Sequence, residues 1–108
     1  MDQTNTIPNL NRLLDHDPLK VFLQRCQDLV DKGGLGREVL SIQTGSKYHK
    51  IISTEGNRHR VFAFINKATG DILKPASFMA PAKHARGNIH DDSGGMDGMT
   101  SYGPKYLK

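Results

Sequence analysis

Apolar side chains change their spacing once along the chain. Leu19, Phe22, Leu23, Cys26, Leu29 and Val30 recur at intervals of three and four, while Lys20, Gln24, Arg25, Gln27, Asp28 and Asp31 fall mostly between them. That period predicts one amphipathic helix. Asp17-Pro18 supplies its start, an N-cap carboxylate followed by a residue whose φ is preset for the first turn, and Lys32-Gly33 supplies its end. A shorter helical turn is expected over 8–14. Cys26 lies on the apolar stripe and reads as a small buried hydrophobe rather than a nucleophile.

From Val39 onward the period falls to two. Strands are expected at Val39–Thr44, Ser46–Ser53, His59–Asn66 and Asp71–Lys74, joined by the turns Glu55-Gly56-Asn57 and Lys67-Ala68-Thr69-Gly70. The fold class is therefore α+β, a small antiparallel β-meander covered by one N-terminal amphipathic helix. With the first turn centred on Gly56, His49, Ile51, Ser53, His59, Val61, Ala63 and Ile65 are expected on one face. Tyr48, Lys50, Ile52, Arg60, Phe62 and Phe64 then share the other, and a change of turn geometry would leave that alternation intact. Phe62 and Phe64 read as a second core layer beneath Phe78, Met79 and Ile89, with base stacking as the other reading. Arg60–Ile65 matches the RNP1 pattern of RNA-recognition motifs only in part, because Val61 stands where glycine belongs and Lys67 where the last aromatic belongs.

Length and composition narrow the class. The 108 residues suit one domain, divided into a helical segment 1–36, a core 37–92 and a Gly-rich tail 93–108. A single cysteine excludes an internal disulfide and a Cys-based zinc finger, and the absence of long apolar runs and of a basic, apolar leader points to a reducing compartment and away from membranes. The net charge of +4 is unevenly placed: residues 1–36 carry −1, 37–90 carry +6 and 91–108 carry −1. Such a basic module between neutral flanks is the footprint expected for a polyanion, and it is also what a merely solvated surface would show.

The segment Lys74–Ile89 is the most distinctive. Its prolines restrict the backbone, and Lys74, Lys83, His84 and Arg86 offer donors to phosphate. A short helical turn from Pro81 through Arg86, closed by Gly87, would set Lys83 and Arg86 on one side. The alternative is a structural arch closing the sheet. His90-Asp91-Asp92, with His84 or His49, has no spacing that specifies a metal site and reads as a solvated turn. No nucleotide-binding loop, nucleophile elbow or spaced carboxylate pair is present, and nothing chooses among Ser41, Ser46, Ser53 and Ser77 as a nucleophile. Neither a catalytic residue, a metal nor a cofactor is expected.

Several separated motifs carry a resemblance. Lys47-Tyr48-His49-Lys50-Ile51, Val61–Ile65, Thr69-Gly70-Asp71-Ile72-Leu73-Lys74-Pro75-Ala76-Ser77, Ala80-Pro81-Ala82-Lys83, Ala85-Arg86-Gly87-Asn88-Ile89 and Gly103-Pro104-Lys105-Tyr106-Leu107 resemble, in this order, a group of small bacteriophage proteins of unassigned function. Phe78 stands where those proteins carry Trp. The resemblance runs from about Tyr48 onward and leaves 1–36 uncovered. It implies a phage origin, a place in the host bacterial cytoplasm or in the virion, and a terminal Tyr106-Leu107 that docks back on the sheet.

The first functional expectation is a non-enzymatic module that meets nucleic-acid phosphates through Lys50, Arg60, Lys74, Lys83, His84 and Arg86. The second is an accessory protein that binds and inhibits a host protein, and the third a virion component.

Overall fold

The computed structural model describes residues 17–33 and 37–105. The turn expected at 8–14 and the docking of Tyr106-Leu107 fall outside those residues. Helix α1 (Pro18–Gly33) starts where its cap chemistry places it: the Leu19 N–H donates to Asp17 Oδ1 at 3.0 Å, and the Val21 N–H closes the first turn on Asp17 O at 3.0 Å. Phe22, Cys26 and Val30 form its buried line, flanked by Leu19, Leu23 and Leu29. On the exposed side, Gln24 and Gln27 donate to Asp28 and Asp31 one turn on.

Five antiparallel strands follow in chain order: β1 (Val39–Thr44), β2 (Tyr48–Glu55), β3 (Arg58–Asn66), β4 (Asp71–Pro75) and β5 (Pro81–Asn88). The meander expected from the sequence is present, with one strand more than the period announced. Residues 81–86 are extended and pair with β4, so the expected helical turn that would set Lys83 and Arg86 on one side is not there. Beyond β5, a one-turn 3-10 helix (Met96–Gly98) leads into a hairpin of β6 (Met99–Thr100) and β7 (Gly103–Pro104), which sits beside α1 on the same face of the sheet.

The β2–β3 turn needs Gly56, whose φ of 62° an L side chain rarely adopts; Asn57 keeps a negative φ, so the pair follows the II′ pattern rather than I′. The register then breaks once. Ile51 faces Ala63, Ile52 faces Val61, and Phe62 is left as the extra residue of a bulge. The strict alternation expected along β3 is thereby overturned. Phe62 joins Ala63 and Ile65 in the core beneath α1, whereas Val61 joins Phe64 and Leu73 on the opposite face. His59 and Arg60 exchange faces with them, since His59 pairs with Thr54 and Arg60 with Ser53. A cause is visible in the packing: α1 presents Phe22, Cys26 and Val30 together, and the bulge places one more large ring under them.

Phe62 and Phe64 are 1% and 2% exposed, so both are core, in two different layers. Ile89 belongs to the helix-side layer rather than to the one beneath Phe78. On the face away from α1, the β4–β5 connection 76–80 arches back over the sheet, carrying Phe78 to within cation–π distance of Lys50 on β2. Ser77 ties the arch with its hydroxyl, which accepts the Met79 and Ala80 N–H groups at 3.2 Å each.

The helix is fastened to the sheet at its border as well as through its apolar line. The Gln27 carboxamide lies along the outer edge of β1, donating to Glu38 O at 2.8 Å and accepting the Leu40 N–H at 2.8 Å. Beneath the helix, burial pushes the Cys26 thiol up to about 12. We expect no reaction of the native protein with an aromatic disulfide reagent at about pH 8, and full reaction once denaturant unfolds it; fast native labelling would show α1 undocked. Because the unfolded thiol ionises at its ordinary 9.0 and the folded one does not, stability is unaffected by this group below 9.0 and falls as pH rises from there towards about 12.

Candidate nucleic-acid interface

The six cations expected at an anion site divide between the two faces. Arg60, Lys74 and Arg86 come from β3, β4 and β5, three adjacent strands, and all reach the terminal segment on the α1 side. Arg60 donates to Tyr102 O at 3.2 Å, Lys74 Nζ to Pro104 O at 2.9 Å and Arg86 Nε to Lys105 O at 3.0 Å. Residues 102–105 thus form a strap whose carbonyls are held by three cations in a row. The bulge at Phe62 creates this row, because without it Arg60 would face the arch.

The three charges also act on one another. The Lys74 ammonium is held below its usual range by desolvation first, then by the charges of Arg86 and Arg60. Glu38 Oε2 lies 3.3 Å from Arg60 and accepts the Ser53 hydroxyl at 2.5 Å, which explains why buried Ser53 is satisfied. Arg60 also rests over the Phe62 ring at 5.6 Å. Arg86 makes a second donation to His84 O on its own strand. A carbonyl fixes a guanidinium without cancelling its charge, so the strap orients Arg60 and Arg86 while leaving the field positive.

The remaining three are arranged differently. Exposed Lys83 and His84 lie on β5 between Pro81, which pairs with Pro75, and Ala85, which pairs with Leu73, a stretch where the register shifts and simple alternation does not assign a face. Lys50 is on the arch side, its Nζ 4.5 Å from the Phe78 ring centroid and 5.7 Å from that of Phe64. Hence three of the six share the strap, and Lys50 does not join them. Sequence reasoning missed Lys105, which the strap carries exposed beside Arg86, and Glu38, whose role depends on a pairing between β1 and β3 through β2.

Other chemistries find less support in the geometry. Asp91 closes a loop upon itself, its Oδ1 accepting from Gly95 N and Ser93 Oγ at 2.8 Å each, and these donors, the Gly95 amide foremost, hold the carboxyl below its usual range. It is a solvated turn, as expected. Among the described residues no group of three or more His, Cys, Asp or Glu side chains is placed to hold a metal ion, and no helix is long and apolar enough to cross a membrane.

The model of a family of unknown function, DUF7717, matches residues 5–102. The chain belongs to that family. The match takes in α1 as well as the sheet, so the helix is part of what DUF7717 members share rather than an attachment, and it ends within the strap. No curated protein and no solved structure matches the chain.

Proposed function

We propose that this DUF7717 protein is a non-enzymatic module that binds the phosphate backbone of nucleic acid through the row Arg60, Lys74 and Arg86, with His84 and Lys105 at its margin. The row carries the reading: three cations from three adjacent strands lie close enough to depress the Lys74 pKa, and the strap pre-orders them. Arg60 and Arg86 retain N–H groups beyond those given to carbonyls, and a guanidinium fork suits phosphate oxygens. The net +6 of residues 37–90 supplies the attractive field.

The test is fluorescence anisotropy with a labelled mixed-sequence oligonucleotide, single-stranded and duplex. We expect log affinity to fall with log salt with a slope of about −2 to −3, and the slope to shrink by about one in Arg86→Gln. No retention at about 50 mM salt, or an unchanged slope in that variant, would overturn the proposal.

A second reading is favoured by the exposed tip of the arch, where Phe78 and Met79 are 46% and 79% accessible. Such a tip, with Lys50 against Phe78, suits capture of a host protein by an apolar contact, and a stoichiometric partner surviving nuclease treatment would favour it. We read the chain as phage-encoded on its motif resemblance, acting in the host bacterial cytoplasm or carried in the virion.

A further inference from the structure

The face opposite the cation row holds a groove that the phosphate-binding reading does not use. It has a volume of about 350 Å³ and lies between the β1–β2 turn and the tip of the arch, bounded by Gln43, Ser46, Tyr48, Lys50, Phe64 and Met79. Register explains its floor. Gln43, Lys50, Phe64 and Leu73 lie in one row across β1, β2, β3 and β4, so the Gln43 amide and the Lys50 amine stand side by side next to the buried Phe64 ring.

We infer that this groove binds a single unpaired nucleobase together with its phosphate. Its volume is at the lower end of the range for small-ligand sites, which fits one nucleotide and not a stack of several. The rings are set in place rather than mobile: Tyr48 meets Phe64 edge to face, with centroids 5.8 Å apart at 77°. Met79 supplies a polarizable thioether on the opposite wall, and a flat π system between sulfur and aromatic edge is favourable from both sides. The polar groups distinguish this occupant from an apolar peptide. Lys50 Nζ is held over the rings of Phe78 and Phe64, and Lys47 Nζ lies 5.6 Å above the Tyr48 ring, so two ammonium groups bracket the aromatic wall. An apolar side chain would leave both charges and the Gln43 amide without a use. A nucleotide engages them all, phosphate on the amines and base edge on the amide and the Ser46 hydroxyl.

The same chemistry is offered by a free nucleotide and by an unpaired base within a strand, and the groove stands on residues separate from the cation row. The experiment observes the methionine methyl groups of the full chain by ¹³C NMR during titration with adenosine monophosphate, and separately with a short single-stranded oligonucleotide. We expect the Met79 methyl to move upfield by ring current and to saturate, with Met96 and Met99, which pack on the α1 side, unmoved. Lys50→Gln, at a partly exposed position, should weaken nucleotide binding about tenfold and leave binding of unphosphorylated adenosine unchanged. Movement with the oligonucleotide alone identifies the strand as the source, and movement with both identifies free nucleotide as sufficient. Arg86→Gln should leave the Met79 response intact, so failure of the cation row and failure of the groove are read separately. A Met79 methyl that stays still in millimolar nucleotide and in excess oligonucleotide, or that moves only with an apolar dye, would overturn the inference.

Discussion

Replacing Phe62 by alanine should cost about 3–5 kcal/mol in urea or guanidinium unfolding, against a total of about 5–15 kcal/mol for a domain of this kind. The ring is 1% exposed and packs in the layer formed by Phe22, Cys26, Val30, Ile65 and Ile72. Phe64→Ala removes a ring of the same size that is equally buried, so stability alone does not separate the two sides. Cys26 does. In Phe62→Ala the void lies under α1, and the thiol should begin to react in the native state. In Phe64→Ala the void lies under the arch, and Cys26 should stay protected at matched denaturant distance from the midpoint. The reverse pattern would place Phe62 on the arch side, as uninterrupted alternation along β3 has it, and would take away the bulge as the reason Arg60 faces the strap.

Gly103→Ala should unseat the strap. Its φ is 118°, and a Cβ there would lie 2.7 Å from the carbonyl oxygen of Phe62, a backbone atom that cannot swing aside. Strain of this type costs about 1–3 kcal/mol, to which loss of the buried Pro104 packing adds. The measurement is amide hydrogen exchange. The Lys105 N–H, which donates to Gly98 O at 2.9 Å, should lose its protection, while amides in the middle of β2 and β3 keep theirs. Oligonucleotide affinity should fall at the same time, because Arg60, Lys74 and Arg86 lose the carbonyls of Tyr102, Pro104 and Lys105 that hold them in one row. An unprotected Lys105 amide already in the natural chain, or no change in the variant, would show that the strap is not held over β3.

Local signals in the sequence were legible and distant ones were not. The helix could be read because Asp17 caps within its own first turn, and Phe22, Cys26 and Val30 repeat on one face whatever lies opposite. Strands β1 to β4 were legible within two residues for the same reason. Strand β5 was not, since Pro81 and Gly87 carry the local marks of a helical turn, and only the ladder with β4, formed at a distance in the chain, outweighs them. The bulge left no mark either. Val61-Phe62-Ala63 is an unexceptional strand sequence, and the extra residue answers a demand for volume beneath α1 that no window along β3 contains. For the cations, segment charge was readable and facing was not. Three irregularities of register, at Phe62, opposite Ile72 and Leu73 near Arg86, and opposite Leu73 to Pro75 around Lys83 and His84, decide which side chains share a surface. The groove beside Lys50 went unseen because Gln43, Ser46 and Met79 carry no motif and meet only through pairing and the return of the arch.

The carboxamide of Gln27 answers the backbone of β1 as a neighbouring strand would, taking its N–H and supplying one in exchange. The start of a templating surface for other chains is thereby covered by a side chain reaching down from the helix. At the far border the sheet ends on β5, whose Pro81, Lys83 and Arg86 make it a poor template by a different means, a missing donor and a pair of like charges. The cations proposed to meet phosphate therefore also discourage growth of the sheet. Neutralising them with β-branched apolar residues would remove both properties at once, and an insoluble variant would then be the outcome of an open border rather than of a lost ligand.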